Sequence, residues 1–173
     1  MQHDKYDEFV NSTLREIGEF MQEELGYQSE LIERSDSMPL SSLAVGIPKD
    51  AGGRDRYLSM MVMPADVEGY KVVFLQMHMI FTIGITDENR MRMETLVNRI
   101  NEKFLLGSFV FFFDSLCMKY GLAFDREDGV DLLDLTRSLA VFIWQADTFG
   151  SALEKLASGE CTLSEAVRMA TGE

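Results

Sequence analysis

Apolar residues recur every three or four positions through the first part of the chain, with acidic and basic residues between them. The members of this stripe are Tyr6, Phe9, Val10, Leu14, Ile17, Met21 and Leu25. This spacing places them on one face of an α-helix, which predicts an amphipathic helix over Asp4 to Leu25 with one side against a core. Gly26 is the residue type that commonly ends a helix.

Three runs with strand-like composition follow a polar segment that extends to Met38 and shows no clear period. They span Pro39 to Ile47, Arg56 to Met63 and Tyr70 to Ile85. The segments PKDAGG and PADVEG separate them, and their Gly, Pro and Asp residues favour turns. The pattern predicts an antiparallel meander of three strands.

A second helical period begins after Thr86, a helix-capping residue type that is followed by two acidic residues. Its inward positions are Met93, Leu96, Val97, Ile100 and Phe104. Two aromatic-rich runs come next and meet at Asp114-Ser115. A two-residue turn there predicts a hairpin in which Phe113 opposes Leu116, so that one face is wholly apolar.

A long helix is predicted from Asp131 to Ser158, with Gly159 at its end. Thr162 and Glu165 have the spacing of a capping box, which predicts a short terminal helix. The chain is therefore expected to be an α+β protein with the order α-β-β-β-α-β-β-α and a five-stranded antiparallel sheet. We predict a single domain over residues 1–173, in which residues 159–173 form a short helical extension.

The chain has 16 Lys and Arg residues against 29 Asp and Glu residues, a net charge of −13. Such a surface repels phosphate backbones and anionic lipid, so neither nucleic acid nor a membrane is an expected partner. The excess of acidic residues either keeps the protein soluble or favours the binding of a basic or unfolded segment of another protein. Two cysteines and an acidic beginning without a signal-peptide pattern favour a cytoplasmic protein.

The order of elements, together with the run from Asn98 to Phe124, resembles the YbjN family of bacterial proteins and, more distantly, the type III secretion chaperones. Asn101, its spacing to Gly107 and the strand pair that follows are similar to that family's central signature. The resemblance covers roughly residues 4 to 158. It implies a secretion-chaperone-like sandwich of helices on one face of the sheet, a homodimer, and a role in binding proteins rather than in catalysis.

The residues that usually perform catalysis or bind metal are scarce. Histidine occurs only as His3 and His78, whereas a zinc site needs three or four closely placed ligands and a nucleophile needs a positioned base. The acids between Asp125 and Asp134 lack the ligand spacing of a calcium loop and are interpreted as solvated and helix-start acids. Gly52-Gly53 is interpreted as a hairpin loop rather than a phosphate cradle. We predict no catalytic residue, no cofactor and no metal.

Alternation along the third strand-like run predicts two apolar faces. Val73, Leu75, Met77, Met79 and Phe81 share one face and are expected to be core. The other face is also largely apolar, so another part of the chain, a second copy or a client must cover it. The candidate partner or dimer interface comprises Phe74, His78, Ile80, Val110, Phe112 and Trp144. For Trp144, at the middle of the long helix, burial in the core is the alternative.

Three functions remain open at this point. The first is a non-catalytic, chaperone-like or regulatory module that holds a segment of another protein by apolar contact and strand addition. The second is a sensory domain that binds a small molecule, which would require a formed apolar pocket beneath the sheet. The third is an enzyme that uses scattered carboxylates, which the shortage of histidine disfavours.

Overall fold

A computed structural model describes residues 2–50, 53–64 and 71–172. Within these residues the fold is α+β, with four helices and one six-stranded antiparallel sheet. The helices are α1 (Gln2–Glu23), α2 (Asp87–Asn101), α3 (Leu132–Ser158) and α4 (Leu163–Thr171). The strands are β1 (Gln28–Ile32), β2 (Ser42–Ile47), β3 (Arg56–Pro64), β4 (Val72–Phe81), β5 (Ser108–Phe112) and β6 (Ser115–Asp125), in the spatial order β1-β2-β3-β4-β6-β5.

The prediction of a five-stranded sheet with the order α-β-β-β-α-β-β-α is wrong, because the polar segment after α1 contains a strand. β1 pairs antiparallel with β2, and its Leu31 lies opposite Leu43. β1 is the first strand in the sheet order and alternates exposed and half-buried positions. A strand at an edge buries little, so Leu31 is the only apolar residue that its sequence needs on the inner face. The described order is α-β-β-β-β-α-β-β-α-α.

The predicted hairpin turn at Asp114-Ser115 is also wrong. Phe112 pairs with Ser115, which makes Phe113 and Asp114 the two turn residues. The pairing differs from the predicted one by two positions. Side chains alternate with a period of two, so this even shift keeps Phe109, Phe111, Leu116 and Met118 on one shared face.

The helix signals in the sequence are confirmed where they are local. Thr86 and Thr162 each cap a helix, and each forms a complete capping box with the residue three positions later. Gly26 and Gly159 have φ of 69° and 79°, the left-handed conformation that ends a helix. No described helix is both long enough and apolar enough to cross a membrane.

The described chain divides into two compact units. Unit one contains the residues up to Met79 and Gly121–Arg137, and unit two contains Ile80–Tyr120 and the residues from Ser138 onward. The elements β4, β6 and α3 contribute residues to both units. The single domain over residues 1–173 stays a prediction.

In unit one, α1 packs its apolar stripe against one face of β1, β2 and β3. Val10, Leu14, Ile17 and Met21 of the stripe are buried, as predicted. Gly18 permits a close approach, since a Cβ built there would lie 3.1 Å from Leu43 and 3.2 Å from the Ser29 hydroxyl oxygen. The covered face of the sheet in this unit is thus held against α1.

In unit two, the core contains a chain of four aromatic rings. Phe109 lies edge-on to both Phe81 and Phe104 with ring centroids 5.3 Å apart in each pair, and Phe104 stacks on Phe149 at 5.4 Å. A Cβ at Gly150 of α3 would lie 3.2 Å from the Phe81 ring, so glycine brings the helix close to this cluster. Offset and edge-on ring pairs of this kind stabilise a core beyond their buried area.

Candidate functional site

The two faces of β3 and β4 in unit one differ sharply in exposure. Val73, Leu75, Met77 and Met79 are buried, which confirms the predicted core face. On the opposite face every described residue is half-buried or exposed. We call part of this face the open patch, which comprises Met61, Met63, Val72, Phe74, Gln76 and His78.

Cross-strand pairing places the residues of the open patch side by side. Met63 of β3 lies opposite Phe74 of β4, and Met61 lies opposite Gln76. Phe74 retains 36% of its accessible surface. A Cβ at Gly121 of β6 would lie 4.0 Å from the Phe74 ring, so the ring stands beside a strand position that has no side chain. The patch is therefore a shallow surface with one aromatic ring at its centre.

The open patch contains no carboxylate, lysine or arginine, although 26% of the chain is Asp, Glu, Lys or Arg. His78 is its one titratable residue, and Gln76 is its other polar residue. Covering the patch would therefore remove little charge from water, and the desolvation cost would be small. Depletion of charge at the centre is also the compositional mark of protein interfaces.

The structure assigns the six predicted interface residues to different places. Phe74 and His78 belong to the open patch in unit one, whereas Ile80, Val110, Phe112 and Trp144 belong to unit two. Trp144 is 53% exposed on α3, so the alternative of core burial is wrong for this residue. All six keep some exposure, and their role as an interface stays a prediction.

The tip of the β5–β6 hairpin in unit two presents two phenylalanines to solvent. Phe112 is 51% exposed and Phe113 is 82% exposed, and their rings meet edge-on at 4.9 Å. Phe113 has φ of 52°, the single positive value among the described residues other than glycine. Bulky side chains disfavour this conformation, so the exposed tip carries local strain.

At the free edge of β5, a side chain occupies the place where a neighbouring strand would bind. The Asn101 amide accepts a hydrogen bond from the Phe109 N–H at 2.8 Å and donates one to the Phe109 carbonyl at 3.0 Å. The backbone of Phe109 is thereby satisfied within unit two. Strand addition at this position of β5 is disfavoured, because an added strand would first have to displace Asn101.

The acids after β6 have local structural roles. The Asp131 carboxylate accepts hydrogen bonds from the N–H groups of Leu133 and Asp134, at 2.8 and 3.0 Å, and so caps α3, which was predicted to begin at Asp131 and begins at Leu132. Glu127 pairs with Lys71, and this hydrogen bond raises the pKa of the lysine. In the part of the chain that the structure describes, no group of three His, Cys, Asp or Glu residues is arranged to bind a metal ion.

A surface groove of about 510 Å³ lies between α1 and the β1–β2 connection in unit one. Its carboxylates include Asp7, which pairs with Arg34 at 3.3 Å, and Glu33, which pairs with Arg15 at 2.5 Å. Exposed ion pairs of this kind contribute little to stability, and the third acid of the groove, Asp36, is exposed. Gly53 has φ of 77°, which fits the predicted loop, while Gly52 lies outside the described residues.

Comparison with known proteins does not indicate a function for the chain. No family model matches the chain, and no curated protein is significantly similar to it. The geometry of the open patch is therefore the main guide to function.

Proposed function

We propose that the chain is a non-catalytic protein-binding module that holds an apolar segment of another protein on the open patch. The observation that carries this proposal is an uncharged, half-exposed sheet face on a strongly acidic chain. Phe74 supplies an aromatic ring, and Met61 and Met63 supply flexible side chains that adapt to varied apolar partners. These properties match the protein-binding role that the resemblance to secretion chaperones implies.

The net charge of −13 indicates the chemistry of the partner. A segment that is apolar on one side and basic on the other would be attracted to the chain, whereas an acidic segment would be repelled. A second copy of the chain would bring the same negative charge. A homodimer formed through the open patch is therefore less favoured than a complex with a basic segment of another protein.

The two alternative functions have less support. A small-molecule sensor would use an enclosed apolar pocket, whereas the groove beside α1 is open to solvent and lined mainly by polar and charged residues. A carboxylate enzyme would use an acid positioned in a cleft, whereas Asp7 and Glu33 of this groove are ion-paired and its third acid, Asp36, is exposed. The open patch remains the better candidate for function.

The proposal is tested with a short, fluorescein-labelled peptide of alternating leucine and lysine, whose binding is followed by fluorescence anisotropy. Phe74→Asp places a carboxylate at the centre of the patch and should weaken binding by about tenfold or more. Met91→Asp is the matched control, because Met91 is an exposed apolar residue on α2 and the change in charge is identical. This control should bind as the unaltered chain does.

Two further peptides separate apolar contact from simple charge attraction. Replacing each leucine by glycine keeps the charge and should abolish binding, and replacing each lysine by glutamate should weaken it. Equal effects of Phe74→Asp and Met91→Asp would refute the open patch as the binding surface. Sedimentation that shows a dimer, lost in Phe74→Asp only, would instead assign the patch to self-association.

A further inference from the structure

A second surface groove lies in unit one, apart from the open patch. Its volume is about 450 Å³. We call it the tyrosine groove and define it by Tyr27, Gln28, Gly46, Pro48, Arg56 and Tyr57, which all line it. It shares no residue with the open patch, although Tyr57 lies on the same face of β3 as Met61 and Met63.

The floor of the tyrosine groove is a glycine in the interior of β2. Gly46 lies between Gln28 of β1 and Tyr57 of β3 in the cross-strand pairing. A Cβ at Gly46 would meet its nearest neighbour only at 3.8 Å, and its φ is not positive. Neither packing within the chain nor backbone conformation requires glycine here. Glycine inside a strand is destabilising, and it often marks a place where another backbone approaches closely.

The walls of the groove are aromatic and accessible. Tyr57 is 67% exposed, and Tyr27 is half-buried. Among the described ring contacts, none joins these two tyrosines. Their faces are therefore not occupied by stacking on each other, although both rings border the same groove.

The rim of the groove is fixed by hydrogen bonds. The Arg56 guanidinium donates from Nε and Nη2 to the Pro48 carbonyl, at 2.9 and 2.7 Å. Lys49 and Asp55, which also line the groove, form an ion pair at 2.9 Å. The charged groups at the rim therefore make contacts within the chain and hold the shape of the rim.

These features identify the class of ligand. A shallow groove leaves much of a small molecule in water, whereas an extended peptide can lie along it. A proline-rich segment in the polyproline II conformation has no internal hydrogen bonds, and its carbonyls are free acceptors. The tyrosine hydroxyls and the Gln28 amide can donate hydrogen bonds to such acceptors, and aromatic side chains are the usual surface for proline rings. We propose that the tyrosine groove binds a proline-rich segment of another protein.

The test uses the full chain, labelled for two-dimensional NMR, and an acetylated, amidated oligoproline as the probe. Saturable shifts are expected at the amides of Gly46 and Tyr57, and a glycine-serine peptide should cause none. Gly46→Val fills the floor and should weaken binding by about tenfold or more, without lowering the melting temperature, since valine favours strands. Ala44→Val is the matched control on the same face of the same strand and should bind normally.

The proposal is overturned if oligoproline causes no saturable shift, or if Gly46→Val binds it as well as the unaltered chain does. If Gly46→Val does not fold, Tyr57→Ala replaces it and must weaken binding. A dimer that Gly46→Val disrupts would also overturn the proposal, because the groove would then be a contact between copies. Phe74→Asp should leave oligoproline binding unchanged, so a failure of the open patch would be distinguishable from a failure of this groove.

Discussion

The side chain of Asn101 forms two hydrogen bonds with the backbone of Phe109, one to its N–H at 2.8 Å and one to its carbonyl at 3.0 Å. Phe109 pairs with Met118 on its other side, and β5 is the last strand in the sheet order. The Asn101 amide thus substitutes for a further strand at this edge. It both joins the end of α2 to β5 and disfavours pairing with another chain.

Asn101→Ala should lower the free energy of unfolding by about 1–3 kcal/mol, because both backbone groups of Phe109 lose their partner. Asn101→Asp is the matched variant. A carboxylate can still accept from the Phe109 N–H, but it places an oxygen where Asn101 donates to the Phe109 carbonyl, so Asn101→Asp should also destabilise the protein. Urea unfolding monitored by circular dichroism measures both variants. An alanine variant as stable as the unaltered chain would contradict this role for Asn101.

Gly107 is required by both backbone conformation and space. Its φ is 81°, and a Cβ there would lie 2.1 Å from the Lys119 carbonyl oxygen. Gly53 provides a control, since its φ is 77° but nothing lies within 4 Å of its Cβ position. Gly53→Ala should cost about 1 kcal/mol of stability, whereas Gly107→Ala should cost about 3 kcal/mol or more. Equal losses in chemical denaturation would show that the steric clash is relieved without cost.

Phe113 should be replaceable with a gain in stability. Its φ of 52° is costly for a bulky residue, while its ring is 82% exposed and buries little. Asparagine tolerates this conformation, so Phe113→Asn should raise the free energy of unfolding by about 0.5–1 kcal/mol. Phe112→Asn changes the neighbouring exposed ring without relieving strain and should not stabilise. A destabilised Phe113→Asn variant would mean that the ring pair at the tip outweighs the strain.

The capping box of α4 should make a small part of the stability depend on pH. The Thr162 N–H and hydroxyl both donate to the Glu165 carboxylate, at 2.8 Å each, and these bonds lower the pKa of Glu165. The pKa of Glu165 is lower in the folded state than in the unfolded state, so its ionised carboxylate stabilises the folded protein at pH values above the ordinary carboxyl pKa. This contribution is lost as the pH falls through the folded-state pKa.

Glu165→Gln keeps an acceptor in the capping box but cannot titrate, so it isolates this effect from the other carboxylates. The unaltered chain should be more stable relative to Glu165→Gln at neutral pH than in strong acid. Melting temperatures of both proteins over the acid range measure the difference. A difference that stays constant or grows on acidification would contradict a stabilising role for the ionised Glu165 carboxylate.

Local signals in the sequence predicted more of this structure than signals that depend on pairing. Thr86 and Thr162 were recognisable as caps, because a capping box involves residues only three positions apart. The alternation along β4 likewise separated Phe74 and His78 from the buried face. β1 was missed because an edge strand needs only one inward apolar residue, Leu31, among polar neighbours.

The turn of the β5–β6 hairpin and the tyrosine groove could not be predicted for a different reason. By residue type, Asp114-Ser115 is a better turn than Phe113-Asp114. The pairing along the whole hairpin nevertheless decides which two residues form the turn. Similarly, Gly46 and Tyr57 become neighbours only through the β2–β3 register. The exposure of Tyr57 and its pairing with Gly46 are known only from the structure.

The most direct test of the proposed function is to map where the leucine-lysine peptide contacts the full chain. With isotope-labelled protein and two-dimensional NMR, the largest saturable shifts should fall on the amides of Met61, Met63, Phe74, Gln76 and His78. Phe74→Asp should remove these shifts and leave the rest of the spectrum intact. Shifts that are absent, or that spread over the acidic surface and persist in Phe74→Asp, would contradict the assignment of the open patch as the binding surface.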